Sequence, residues 1–266
     1  MPEQLLKKFS IDVQEKLFET QHTGSTLAVF QTHPFGKLMT LDGEIIISEQ
    51  DSFFYHEMIT HPALFSHPHP QKIAVIGHYA GIINEILKHT EVSQVICVQD
   101  NPAYDAVIDQ FFADLNKASK DPRVTRHSLT AAAWLAQNSD KFDIIIDARS
   151  AETTGSRQEN FNSALADIGM LVKSCPSLLL HFDTLKNELL HIQRAGFTDW
   201  QLLNFPQPSY THGMRSALLG LKHPGMKRIA EKKIFNRLFT TRYYNLDTHK
   251  AALMLPEFMK ELEVPL

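Results

Sequence analysis

Read for the spacing of its apolar and polar positions, the chain changes period most sharply between residues 71 and 102. Residues 73–76, Ile-Ala-Val-Ile, form an unbroken apolar run, which predicts a strand buried on both faces of a parallel sheet. Gly77 and Gly81 bracket a tight turn, Ile82, Ile83, Ile86 and Leu87 then fall at helical spacing over 82–88, and 95–98 predicts a second buried strand that runs into Gln99-Asp100-Asn101-Pro102. Strand, glycine turn, helix and strand make a βαβ unit of Rossmann type. Such a unit holds a nucleoside ligand outside the carboxyl ends of its strands, over the turn and the helix N-terminus. The turn, Gly77-His78-Tyr79-Ala80-Gly81-Ile82, carries two of the three glycines of a dinucleotide fingerprint, so a ligand site and a turn that only lets a helix pack on a sheet both stay open.

Residues 1–50 alternate instead of running continuously apolar. Strands are predicted at 26–30, 37–41 and 44–48, separated by His33-Pro34-Phe35-Gly36 and by Asp42-Gly43, which makes a small antiparallel sheet. A helix over 52–65 joins it to the βαβ unit and ends at Ser66-His67-Pro68-His69-Pro70. Beyond, the spacing predicts a helix at 106–115, a third strand from Asp121-Pro122-Arg123-Val124, a short helix at 131–136 and a fourth buried strand at 142–147. That strand ends in Asp147, and an acid at the carboxyl end of a buried strand sits where this fold does its chemistry. Further helices are predicted at 161–172 and 187–194, a strand at 177–182, an antiparallel pair at 200–204 and 216–222, and terminal helices at 227–238 and 251–263. The expected fold class is therefore α/β, a Rossmann-like methyltransferase-type sheet over 51–266 with a small N-terminal antiparallel β-domain over 1–50.

Composition narrows the partners. A chain of 266 residues with 43% hydrophobic and 21% charged residues is an ordinary globular protein, and a net charge of −4 with no basic stripe argues against nucleic acid while suiting a cationic ligand. No stretch is apolar for long enough to span a bilayer, and Met1-Pro2-Glu3-Gln4 opens no signal peptide, so the expectation is a cytoplasmic protein with no membrane partner. Cys97 and Cys175 read as buried thiols, not a disulfide. The chain has fourteen histidines, but His33, His56, His61, His67 and His69 lack carboxylate-supported ligand spacing and read as solvated loop residues; no metal is expected.

Several stretches together resemble the spermidine synthases, or polyamine aminopropyltransferases: Leu41-Asp42-Gly43, Ser52-Phe53-Phe54-Tyr55-His56-Glu57-Met58, His61-Pro62, Leu87-Lys88-His89, Asp121-Pro122-Arg123-Val124, the 142–147 strand, Tyr210 with Gly213, and Arg242-Tyr243-Tyr244-Asn245 with His249. Order and spacing hold over almost the whole chain. The resemblance implies transfer of an aminopropyl group from decarboxylated S-adenosylmethionine, a co-substrate and not a permanently bound cofactor, to putrescine, giving spermidine and methylthioadenosine, in a homodimer or homotetramer. It implies Asp147 as the general base, Tyr55, His56, Tyr210 and Ser150 along the polyamine, and Gly77, Ala80, Gly81, Gln99, Asp100, Thr130 and Ala131 around the nucleoside. The chemistry fits: an alkyl ammonium with a pKa of roughly 10 must lose a proton before it can attack the carbon next to the sulfonium, and a placed carboxylate does this.

The chain also departs from the family. The acid of the first turn, which holds the aminopropyl amine, falls at Ala80, with Glu85 the nearest candidate to lean into the gap. The ribose-binding glutamate falls at Gln99 with Asp100 beside it, the adenine-edge Asp-Gly falls at Thr130-Ala131, and two glutamines appear as Ser25 and Ile46. After the fourth strand, Asp147-Ala148-Arg149-Ser150-Ala151 keeps the first acid of Asp-x-x-Asp-Pro and loses the second, and an ungapped register puts Ala148 at the base position. Each lost charge-assisted bond is worth about 1.5–3 kcal/mol, so nucleoside binding is more threatened than base chemistry. The alternatives are a catalytically inactive homologue acting as a regulatory or binding partner in polyamine metabolism, and a methyltransferase using S-adenosylmethionine itself.

Overall fold

The computed structural model describes residues 11–149, 159–175, 182–210, 213–224 and 229–257. Two sheets organise them. The first is antiparallel, in the order β1 (Asp12–His22), β2 (Ser25–His33), β3 (Gly36–Leu41), β4 (Glu44–Ser48). The strand at its edge, β1, was not expected. Its sequence, DVQEKLFETQH, is largely exposed and charged, so it lacks the apolar alternation that marks a strand; pairing with β2 from Asp12↔His33 to His22↔Ser25 makes it one.

Helix α1 (Ser52–Ser66) leads to the second sheet and is buried along nearly its whole circumference. The chain continues through β5 (Lys72–Gly77), α2 (Ile82–Ile86), β6 (Gln94–Val98), α3 (Tyr104–Phe111), a 3₁₀ segment at Ala113–Lys120, β7 (Val124–His127), α4 (Ala131–Gln137) and β8 (Phe142–Ala148). The run expected to be helical at 161–172 is instead a 3₁₀ turn at Phe161–Ala164 followed by β9 (Leu165–Cys175). Its buried stretch Met170–Cys175 sits between two other strands, and that burial on both faces overrides a coincidental helical period. The strand expected at 177–182 lies outside the described residues except Phe182, which opens α5 (Phe182–Arg194).

Strands β10 (Asp199–Pro206) and β11 (Met214–Leu221) pair antiparallel, as expected, and close a seven-stranded sheet in the order β10-β11-β9-β8-β5-β6-β7. Five of its strands, β5 to β9, are parallel. Among the described residues, less of the two expected C-terminal stretches is helical than predicted. Among the described residues of 227–238 only α6 (Glu231–Phe235) is helical, and the last described helix is α7 (Leu246–Ala252), which starts at a capping box made by Asn245 and Thr248; Met254–Pro256 has no regular structure, and residues from 258 on lie outside the described set.

The central strands bury both faces, as their unbroken apolar runs require. Ile73 and Val75 of β5 face a core shared with α1, α2 and the first sheet, while Ala74 and Ile76 face α4 and α5. Chain order runs outward from β5 to β7 and then returns to β8 on the other side of β5, so the sheet reverses direction between β5 and β8. That reversal opens a crevice at the carboxyl edge, where Ile76 pairs with Asp147 and Gly77 with Ala148. Cys97 and Cys175 are both buried thiols, and among the described residues no helix is long and apolar enough to cross a membrane.

Candidate active site

The crevice is a cleft of about 270 Å³. Its floor is Ile76 and Gly77 of β5, its side is Val98, Gln99, Asp100 and Asn101 beyond β6, and Leu129, Thr130 and Ala131 line the entrance to α4. The first sheet closes it from above through His22, Thr23, Ser25, Leu27 and Leu41. Five of the positions nominated for the nucleoside, Gly77, Gln99, Asp100, Thr130 and Ala131, thus share one cavity, together with Ser25. Ile46, at the other glutamine position, is instead a core residue of β4. Gln99 turns its side-chain oxygen to accept from the Asn101 amide at 3.1 Å, and Thr130 caps α4 by accepting from Ala133 N–H at 3.1 Å.

The first turn divides its residues between two surfaces. Gly77 has φ +93°, and a Cβ there would stand 2.6 Å from Arg149 Cγ and 2.9 Å from Arg149 N, so this position must be glycine for the 147–149 backbone to cross it. His78 forms part of the cleft wall beside Tyr104. Tyr79 points away and donates its hydroxyl to Asp105; Ala80 is buried, with its amide donating to the Tyr104 hydroxyl at 3.2 Å. Gly81, at φ +79°, lies under the His56 ring, where a Cβ would be 2.2 Å from Cε1. Gly81 and His56 line a separate cavity of about 500 Å³, together with Glu57 and Glu85. Glu85 does not lean toward Ala80. It is held by His61 Nε2 at 3.0 Å and by Lys88, and those bonds keep its pKa low against the opposing effect of burial.

Asp147 is fully buried at the end of β8 and engaged by its own neighbour. Arg149 donates from Nε and from Nη2 to the two Asp147 oxygens, both at 2.9 Å, and from Nη1 and Nη2 to Glu159 at 2.9 and 3.1 Å. Burial by itself would lower the Arg149 pKa, but the bonds and charge of Asp147 and then Glu159 outweigh it and hold the guanidinium above its usual range. The Arg149 bond is likewise the largest reason that the Glu159 pKa is low. Of this trio, Arg149 and Glu159 border the cleft and Asp147 lies behind them.

The aromatic wall holds a second arginine. Tyr55 on α1 and Tyr210 after β10 flank the buried Arg215 of β11, whose guanidinium carbon lies 4.4 Å and 4.6 Å from the two ring centres. Arg215 also donates to Ser174 Oγ at 3.0 Å. Tyr210 reaches this position because Asp51, just before α1, accepts from the Ser209 amide at 2.6 Å and hydroxyl at 2.7 Å. Its own hydroxyl donates to Glu44 at 3.3 Å. Burial first, and the Arg215 charge against the pull of Glu85, bring the His56 pKa down to about 4. Ser150 lies outside the described residues.

Sequence reading missed Arg149, Glu159 and Arg215. For Arg149 and Arg215 a signal exists, an arginine two residues past the strand-end acid and another inside an apolar strand; Glu159 carries none. The expectation that the named histidines are solvated loop residues fails for three of them. His56 and His61 are buried within α1, and His67 at its C-terminus is buried too; only His33 and His69 are exposed.

Both the sequence and the fold have matches among known proteins. Residues 52–230 match the family model described as the spermine/spermidine synthase domain. Polyamine aminopropyltransferases of Alkalilimnicola ehrlichii and Nitrosococcus oceani are each 34% identical to the chain, over 96% of it and 92% of theirs. A crystal structure of spermidine synthase in complex with the transition state analogue AdoDATO superposes with a TM-score of 0.88 at 23% identity, covering 96% of this chain and 90% of that one. The spermidine synthase of Thermotoga maritima gives 0.85 at 24% identity, covering 95% and 89%. With a family model that spans more than half of the residues and relatives this similar along nearly the full length, the chain belongs to the spermine/spermidine synthase family.

Proposed function

We propose that the protein is a polyamine aminopropyltransferase that moves the aminopropyl group of decarboxylated S-adenosylmethionine to putrescine, giving spermidine and methylthioadenosine. The observation that carries this reading is the cleft at the carboxyl edge of the sheet, which gathers Gly77, Gln99, Asp100, Thr130 and Ala131 beside the Asp147–Arg149–Glu159 trio. A sulfonium bonded to the carbon under attack is already a good leaving group. The amine nitrogen forms the new C–N bond, the C–S bond breaks, the sulfur leaves as a neutral thioether, and the surplus amine proton passes to a carboxylate.

In this reading Asp147 is that carboxylate, and Arg149 sets the condition for its use. Two charge-assisted bonds of about 1.5–3 kcal/mol each hold it. A substrate ammonium that takes the place of the guanidinium at Asp147, with Arg149 kept on Glu159, replaces one cation by another, so most of that energy is recovered and exchange is feasible. Tyr55, His56 and Tyr210 position the acceptor along the aromatic wall, with Arg215 between the two tyrosines. The inactive-homologue alternative is separated by the same assay. Incubation with decarboxylated S-adenosylmethionine and putrescine is expected to release methylthioadenosine, and Asp147→Asn to abolish release. No product from the native protein rejects the transfer, and an unaffected rate in the variant places the base elsewhere.

A further inference from the structure

The first turn of this chain contains no acid: it reads Gly77-His78-Tyr79-Ala80-Gly81. A donor carrying both a sulfonium and an ammonium needs an anion for its cationic tail. The cleft supplies one from a different part of the chain. Asp147, Arg149 and Glu159 form one hydrogen-bonded run with two carboxylates and one guanidinium, a formal charge of −1. Arg149 is pressed against Gly77, and its partner Glu159 lines the same cleft as Gly77 and His78. Of the two carboxylates, Glu159 is the accessible one: its side chain is 22% exposed and borders the cavity, whereas that of Asp147 is 0% exposed.

We propose that Glu159 is the carboxylate that receives the aminopropyl ammonium of the donor, with Arg149 as the positioning residue that fixes its orientation. Glu159 accepts from Arg149 at each oxygen and also from its own backbone N–H, and of the roughly four lone-pair sites of a carboxylate this leaves one for a cation. A depressed Glu159 pKa keeps the group ionised wherever the donor is bound. This assignment rests on the aminopropyl-transfer reading for the identity of the donor and goes beyond it in naming the anchor.

Binding measurements test it without requiring turnover: methylthioadenosine is the same nucleoside without the aminopropyl tail and without the sulfonium charge, and its S-methylated sulfonium form restores that charge without the tail, so loss of Glu159 is expected to weaken the donor and spare both. By calorimetry, Glu159→Gln is expected to weaken decarboxylated S-adenosylmethionine roughly 10- to 100-fold and the two tail-less ligands by less than about twofold, with Glu159→Asp recovering part of the loss. Equal weakening of the donor and either tail-less ligand overturns the assignment, as does unchanged donor affinity. A native protein that binds none of these ligands overturns both this assignment and the proposed reaction. Selective donor weakening in a protein that releases no methylthioadenosine rejects the reaction and leaves Glu159 as the anchor.

Discussion

At the scale of single residues, the sheet edge is governed by contacts between near neighbours in the chain. An unengaged carboxylate at a strand end would tolerate Asp147→Asn without loss of stability. The two-pronged contact from Arg149 changes that expectation, because the amide keeps one acceptor oxygen and puts an N–H group against a guanidinium. Asp147→Asn should therefore cost about 1.5–3 kcal/mol as well as turnover. Gly81 is a sharper case. Its φ of +79° disfavours any side chain, and an added methyl group would meet the buried His56 ring at 2.2–2.7 Å. Gly81→Ala is expected to lose roughly 2–4 kcal/mol in chemical denaturation, from backbone strain and overpacking together. A midpoint within error of the native one would show that the His56 ring relaxes freely.

At the scale of elements, α1 joins the parts of the molecule. Its Glu57 is buried and accepts three backbone N–H groups from the C-terminal segment: Arg242 at 2.8 Å, Tyr243 at 2.9 Å and Tyr244 at 2.7 Å. Three charge-assisted bonds from one carboxylate satisfy three consecutive backbone N–H groups of a loop whose side chains stack on α1. Glu57→Gln turns at least one acceptor into a donor facing backbone N–H, for an expected loss of about 3 kcal/mol and a melting temperature lower by roughly 5–10 °C. Melting within a degree of the native protein would assign the anchoring to the aromatic packing of Tyr244 on Phe65. The same helix explains why the histidines were misread. Most of its residues are buried whatever their polarity, so His61 is buried and paired with His89 Nε2 at 2.9 Å and with Glu85, a placement that local sequence does not signal.

At the scale of the whole molecule, these buried histidines set the acid limit of the fold. Burial holds His56 and His249 down at about 4 and, with the neighbouring His61, His89 at about 3, against 6.5 in the unfolded chain. The unfolded state thus binds protons that the folded state refuses. The stability these groups contribute is fully present above pH 6.5 and is lost as the pH falls toward 4. At pH 5 the penalty is roughly 2 kcal/mol for each of these residues. Urea unfolding at pH 7 and pH 5 should differ by several kcal/mol in favour of pH 7; a flat profile over that window would mean that the interior admits the charged ring.

Local sequence is enough to place the βαβ unit, the buried strand that carries Asp147 and the closing antiparallel pair. Each follows from short-range facts: an unbroken apolar run, a glycine turn, or two short apolar stretches separated by a turn. The tertiary structure decided what those patterns do not contain. A polar edge strand became β1 by pairing with β2, and the 165–175 stretch became a strand because it is enclosed on both faces. Arg149 and Glu159 met at the sheet edge, and Arg215 slid between Tyr55 and Tyr210, through contacts between residues distant along the chain or brought together by the way the backbone crosses Gly77. Periodicity reports which face of an element is buried, whereas the partner that a buried charge finds there depends on how the elements pack.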